Sequence, residues 1–155
     1  MNETEYRKKI IFEHTRKISP YLCPELSIYL ITDECPLWTA GETELSRLGI
    51  PDPYWGFCWA GGQALSRYIL DHPHLFAGKQ VIDFGTGCGV QAIAAKKAGA
   101  LSVIAYDIDP WALESVRINA GANLVDIETS GENIIGNEHL ESDILLAGDM
   151  FYDQS

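Results

Sequence analysis

The run Val81 to Val90, V-I-D-F-G-T-G-C-G-V, constrains the fold of this chain more than any other stretch. An apolar strand over Gln80 to Phe84 turns through Gly85, Gly87 and Gly89 into an alanine-rich helix over Gln91 to Ala98. Glycines on alternate positions let the backbone approach a ligand where side chains would collide, and the N–H groups that open the helix favour an anionic group. A second apolar strand, Leu101 to Tyr106, ends at Asp107, 22 residues past Gly85. A carboxylate there, at the tip of the neighbouring parallel strand, can accept from both hydroxyls of a ribose. A plain strand-to-helix turn needs one glycine rather than three, so a ligand-binding loop is expected.

The rest of the chain alternates in the same way. Asn2 followed by Glu5 marks a helix start, with an amphipathic helix expected over Glu5 to Lys17 and stopped by Ser19-Pro20. A short strand is expected over Glu25 to Thr32, and a short helix around Glu42 to Leu48. Pro53 to Trp59 packs four aromatics into seven positions, and Gly61-Gly62 then leads into a helix over Gln63 to Asp71 closed by Pro73. Such a cluster suits a core, and its place just before the glycine-loop strand also suits a cover over a ligand. Asp109-Pro110 is a favoured helix opening, running to about Asn119 or Ala122. Val125 to Thr129 reads as a third strand, and Ser142 to Gly148 contains a fourth that ends at Asp149. This order predicts an α/β fold with a Rossmann-like sheet, and right-handed crossovers give it the spatial order 3-2-1-4. The glycine loop, Asp107, Asn133 and Asp149 then share the C-terminal rim of that sheet. Residues 1–60 read as an N-terminal helical and aromatic extension packed on the core, and residues 61–155 as the sheet-bearing domain.

A chain of 155 residues, 46% of them hydrophobic, suits one domain with a filled core. No run approaches the roughly 20 apolar residues that cross a bilayer, and no membrane partner is expected. The N-terminus, M-N-E-T-E-Y-R-K-K, carries no signal-type or transit-type pattern. Cys23, Cys35, Cys58 and Cys88 form no C-x-x-C pair, and His72 and His74 flank Pro73 in a turn, so reduced thiols and no metal site are expected. The net charge is −11, and residues 101–155 set one base, Arg117, against eleven acids. Nucleic-acid binders carry basic stripes, so no nucleic-acid partner is expected. An acidic face attracts a lysine-bearing protein surface, or serves only as a solvated face.

The glycine run has the form D-x-G-x-G-x-G, led by Asp83, rather than the G-x-G-x-x-G of dinucleotide oxidoreductases. It resembles motif I of the S-adenosylmethionine-dependent methyltransferases. Four stretches in order, P-Y-W-G-F-C-W-A-G-G-Q-A-L-S-R-Y, V-I-D-F-G-T-G-C-G, A-Y-D-I-D-P and L-A-G-D-M-F-Y-D, resemble the electron transfer flavoprotein beta-subunit lysine methyltransferases, members of the seven-β-strand protein-lysine methyltransferases. The resemblance spans roughly Glu25 to Asp153. It implies S-adenosyl-L-methionine as cofactor and lysine side chains of the flavoprotein beta subunit as acceptor. It also implies a signature after the fourth strand, an acid and then an aromatic three residues on, matched here by Asp149 and Tyr152. In that frame Gly85, Thr86, Gly87 and Gly89 hold the methionine carboxylate, and Asp83 attracts the ammonium. Asp107 takes the ribose, Asn133 meets the adenine, and Trp59 forms part of the cofactor wall. Asp149 orients the acceptor amine and Tyr152 shapes its channel. The family continues through later strands that are missing after Ser155. The fourth strand would then be an apolar edge, covered by a second copy of the chain or left bare in a fragment. The expected location is the cytoplasm, or the mitochondrial matrix in a eukaryote. A methyltransferase for another protein or for a small amine such as nicotinamide, and a truncated cofactor-binding module without catalysis, remain alternative readings.

Overall fold

The computed structural model describes residues 1–138 and 140–150. The chain opens with α1 (Glu3–His14), whose capping box is complete: the Asn2 side chain accepts from the Glu5 N–H, and the Glu5 carboxylate accepts from the Asn2 N–H. The helix stops earlier than the expected Lys17. Thr15 turns extended, and its buried hydroxyl donates to the Ile11 carbonyl at 2.5 Å. The residues released in this way form β1 (Arg16–Ile18), which the sequence reading did not anticipate. It pairs antiparallel with β2 (Ile28–Leu30). Next come α2 (Glu42–Leu48), with the bounds expected, and α3 (Ala60–Asp71), followed by the single turn α4 (Pro73–Phe76).

The sheet domain then runs β3 (Gln80–Phe84), α5 (Val90–Lys97), β4 (Ser102–Tyr106), α6 (Pro110–Ala122), β5 (Glu128–Ser130) and β6 (Ile144–Leu146). Asp109 caps α6 through the Trp111 N–H at 2.9 Å, with Pro110 at the first helical position. The strands lie in the order β5-β4-β3-β6, all parallel, which is the 3-2-1-4 arrangement. β5 starts three residues later than expected. Val125 belongs instead to the helix end, where its N–H bonds to the Ala120 carbonyl and Leu124 takes the left-handed conformation with φ 56°.

Strand parity divides the core. Val81, Val103 and Ala105 face a cluster built with Ile69 of α3, Ala92 and Ile93 of α5, Val116 of α6 and Leu26 and Ile28 of the N-terminal region. Ile82, Phe84, Ile104 and Tyr106 face the other way, against Ile134 and Leu140. A further cluster joins Ile10, Ile11, Leu37, Ile50 and Trp55 to Trp111 and Ile118 of α6, with Trp55 and Trp111 stacked at 5.8 Å and 13°. Residues 1–60 therefore share their apolar contacts with the sheet domain.

Two asparagines complete this attachment. Asn119 of α6 and Asn123, the C-cap residue of that helix, lie four residues apart on one face. Asn119 accepts from the Tyr29 N–H at 2.8 Å, and Asn123 accepts from the Ser27 N–H at 3.0 Å while donating to the Ser27 carbonyl at 2.6 Å. The edge of β2 is thus satisfied by side chains where another strand would otherwise pair. No helix among the described residues is long and apolar enough to cross a membrane.

Candidate functional site

The C-terminal ends of β3, β4, β5 and β6 lead respectively into the glycine loop, Asp107, the segment from Gly131 to Asn133, and Asp149. The loop folds over the end of β4, with Gly85 and Thr86 both donating to the Tyr106 carbonyl at 2.9 and 3.1 Å. One Asp107 oxygen accepts from the Gly87 N–H at 3.0 Å and the other from the Asp109 N–H at 3.0 Å. Asp107 therefore ties the tip of the loop to the start of α6, and each oxygen keeps a second lone pair for a ligand.

The loop glycines answer to different neighbours. A Cβ on Gly85 would run into the Met150 thioether, and one on Gly89 would stand 3.0 Å from Val116 of α6. Gly87 has φ 53°, and nothing lies within 4 Å of the place where its Cβ would be. The loop thus offers open backbone at its tip, beside the Asp107 carboxylate, and this ledge has room for an adenosyl compound. Two clefts of about 350 and 230 Å³ lie elsewhere, around α1 and α6.

Asp83 departs from its expected role. It is fully buried. It accepts from the Thr86 hydroxyl at 2.6 Å, the Gln91 amide at 3.2 Å and the Ala92 N–H at 3.2 Å. It shares the parity of Val81, so it points toward α5 and braces the loop from beneath instead of meeting a ligand's ammonium group. Burial pushes its carboxyl up to about 7, against the pull of the Thr86 and Ala92 donors, and the Asp107 charge adds to the rise. Thr86 is buried with it and acts as its donor. Beside them the Cys58 thiol meets the Cys88 thiol, and that contact, followed by burial, holds Cys58 protonated far above its ordinary range.

Asp149 is exposed, with φ 56°. Its carboxylate accepts from the Gly61 N–H at 3.1 Å and the Gly62 N–H at 2.6 Å, so it holds the first turn of α3. This explains why α3 starts at Ala60 rather than Gln63: a distant acid satisfies the N–H groups of the two glycines. It also explains Gly61, where a Cβ would come within 2.8 Å of the carboxylate carbon. Trp59 is the N-cap residue of α3, half-exposed, with its indole N–H donating to the Tyr54 carbonyl at 3.1 Å. Asn133 is exposed, and its side-chain oxygen accepts from the Ile135 N–H at 3.1 Å. Among the described residues, its side chain makes no hydrogen bond to the loop or to Asp107. Tyr152 lies outside the described residues. Among the described residues, no group of three His, Cys, Asp or Glu side chains gathers as a metal site would require.

Sequence reading missed four contributors. Gln91 supports Asp83, and its buried oxygen has no hydrogen-bond partner. Asn119 donates to the Cys88 carbonyl at 2.9 Å and so anchors the glycine loop to α6. Gly61 and Gly62 receive Asp149. The spacing N-x-x-x-N at the end of the helix was the available signal for Asn119.

The family model of the ribosomal protein L11 methyltransferases (PrmA) matches residues 63–148. The electron transfer flavoprotein beta subunit lysine methyltransferase of Danio rerio is 43% identical over 150 residues, covering 96% of this chain and 57% of that protein. The protein of the same name from Homo sapiens is 42% identical over 134 residues, covering 86% of this chain and 50% of its own length. This chain thus spans about half the length of the curated relatives it matches. Among solved structures, a putative RNA methyltransferase from Pyrococcus horikoshii aligns with a TM-score of 0.50 at 25% identity, covering 61% of this chain and 49% of that one.

Proposed function

The chain belongs to the family of the ribosomal protein L11 methyltransferases (PrmA), and from that premise we propose that it transfers methyl groups from S-adenosyl-L-methionine to lysine side chains of a protein, the electron transfer flavoprotein beta subunit. The observation that carries the reading is the open backbone at Gly87 beside the Asp107 carboxylate. The choice of acceptor rests on the 43% identity to the Danio rerio protein. The cofactor supplies a methyl group on a sulfonium centre. Gly85, Gly87 and Gly89 hold its amino-acid end and Asp107 its ribose, while Asn133 and Trp59 border the adenosyl moiety. Asp83 and Thr86 keep the loop in shape.

Lysine must lose its proton to act as a nucleophile, and its ordinary pKa is about 10.4. A carboxylate raises that value and apolar burial lowers it. Asp149 therefore recruits and orients the amine instead of deprotonating it, and Tyr152 shapes the channel. Correct placement of the amine supplies most of the rate advantage. In this reading a second copy of the chain covers the edge of β6. The site of action is the cytoplasm, or the mitochondrial matrix in a eukaryote.

Calorimetric titration with S-adenosyl-L-methionine tests the cofactor assignment. Asp107→Ala is expected to weaken binding at least about tenfold, which corresponds to about 1.4 kcal/mol. Asp107→Asn, which keeps an acceptor for the Gly87 N–H, separates loop bracing from ribose recognition. Unchanged affinity in Asp107→Ala overturns the assignment. Labelled-methyl transfer to the flavoprotein beta subunit, to other proteins and to nicotinamide decides the acceptor. In the same assay Gly61→Ala, which pushes the Asp149 carboxylate off α3, is expected to lower the transfer rate about tenfold with cofactor affinity unchanged.

A further inference from the structure

The aromatic stretch at residues 54–59 splits in two. Trp55 is 1% exposed and belongs to the core on Trp111. The other rings continue outward as a connected row. Trp38 packs on Phe57 at 6.1 Å, Phe57 on Trp59 at 5.5 Å, and Trp59 on Tyr54 at 6.1 Å, all tilted by 53–57°. Trp38, Tyr54 and Trp59 are 53%, 54% and 46% exposed. Scattered exposed aromatics are ordinary, whereas a contiguous exposed row marks an interaction surface.

Charge narrows the partner. Residues 33–59 carry five acids, Asp33, Glu34, Glu42, Glu44 and Asp52, and one base, Arg47, which lies 3.8 Å from Glu44. Asp33 and Glu34 immediately precede the turn that presents Trp38, and the Tyr54 N–H bonds to the Asp52 carbonyl at 2.8 Å. Acids on the segments that bear the rings repel phosphate backbones and attract ammonium groups. Aromatic faces bind ammonium groups directly and cover the methylene stems of lysine. The row also has a direction. From Trp38 it runs to Trp59 and Tyr54, and Trp59 is the N-cap residue of the helix whose next N–H groups hold Asp149.

We propose that the row Trp38–Phe57–Trp59–Tyr54 is the docking surface for a basic, lysine-bearing segment of a protein, laid along the rings so that a lysine beside Trp59 reaches Asp149. Naming that protein as the methyl acceptor rests on the function proposed above, whereas the docking itself does not.

The test uses the full chain labelled with nitrogen-15 and a decapeptide of alternating lysine and glycine. A glutamate–glycine decapeptide and oligouridine serve as comparisons. The indole signals of Trp38 and Trp59 are expected to shift with the lysine peptide, while those of buried Trp55 and Trp111 stay. Trp38→Leu is expected to weaken the peptide about threefold, and Trp38→Leu with Trp59→Leu about tenfold. S-Adenosylhomocysteine, titrated separately, is expected to bind Trp38→Leu as it binds the parent chain. Absence of shifts at Trp38 and Trp59, equal binding of the glutamate peptide, or tighter binding of oligouridine overturns the docking surface. Peptide binding without binding of S-adenosylhomocysteine supports the surface and rejects the methyl-transfer reading.

Discussion

Asp83→Ala is expected to destabilise the chain by about 4 kcal/mol, read from urea unfolding, and to abolish cofactor binding. The substitution strands the Thr86 hydroxyl, the Gln91 amide and the Ala92 N–H in a site without solvent. Each buried donor left unpaired costs about 1–3 kcal/mol, a large part of the roughly 5–15 kcal/mol that holds a domain of this kind together. Loss of the brace also frees the glycine loop, so binding falls along with stability. The pH response separates the charge from the hydrogen bonds. Unfolded, this carboxyl ionises near 3.8, whereas burial in the folded protein raises it to about 7. Between those values the folded state holds the extra proton. The contribution is therefore complete below pH 3.8 and is lost as pH rises through 7. Asp83→Asn has no proton to lose, so the parent chain is expected to lose stability relative to this variant as pH rises across that window. A difference that stays flat with pH would show that the carboxyl is ionised throughout.

Asn119→Ala is expected to cost about 3 kcal/mol and to weaken cofactor binding from a distance. The side chain is fully buried and serves two masters, accepting from the Tyr29 N–H of β2 and donating to the Cys88 carbonyl in the glycine loop. Alanine leaves both backbone groups unpaired inside the protein. Asn119→Asp keeps the acceptor for Tyr29 and removes the donor for Cys88, at the added cost of a buried charge. Urea unfolding of the two variants alongside cofactor titration divides attachment of β2 from support of the loop. Full cofactor affinity in Asn119→Ala would mean that the Cys88 bond plays no part in shaping the site.

Local chemistry made much of this fold legible. The strand–glycine–helix punctuation at residues 80–91, the Asp109-Pro110 opening and the Asn2–Glu5 box each declare themselves within a few residues. Alternating strands and helices then leave few parallel orders for the sheet. Interactions that join distant residues were not legible. No local pattern shows that Asp149 will cap α3, or that Asn119 will stand in for a strand beside β2. Arg16–Ile18 is too short and too exposed to show a strand period, and becomes a strand only because β2 lies beside it. The inward aim of Asp83 was within reach of the sequence, since period two puts it with Val81 on the helix-covered face. Its position in front of the glycines suggested a ligand contact instead.

The two halves of the rim differ in the sequence distance that each must close. Asp107 meets Gly87 across 20 residues, within a single strand–helix–strand unit, whereas Asp149 meets Gly61 and Gly62 across 88 and 87. The entropy of closing a loop grows with its length, and contacts between distant residues form late. During folding, and during synthesis on the ribosome, the Asp107 side of the rim is therefore expected to assemble first. The Asp149 side is expected to follow once β6 has docked beside β3, so a chain caught midway would carry a formed glycine loop while the start of α3 was still unheld.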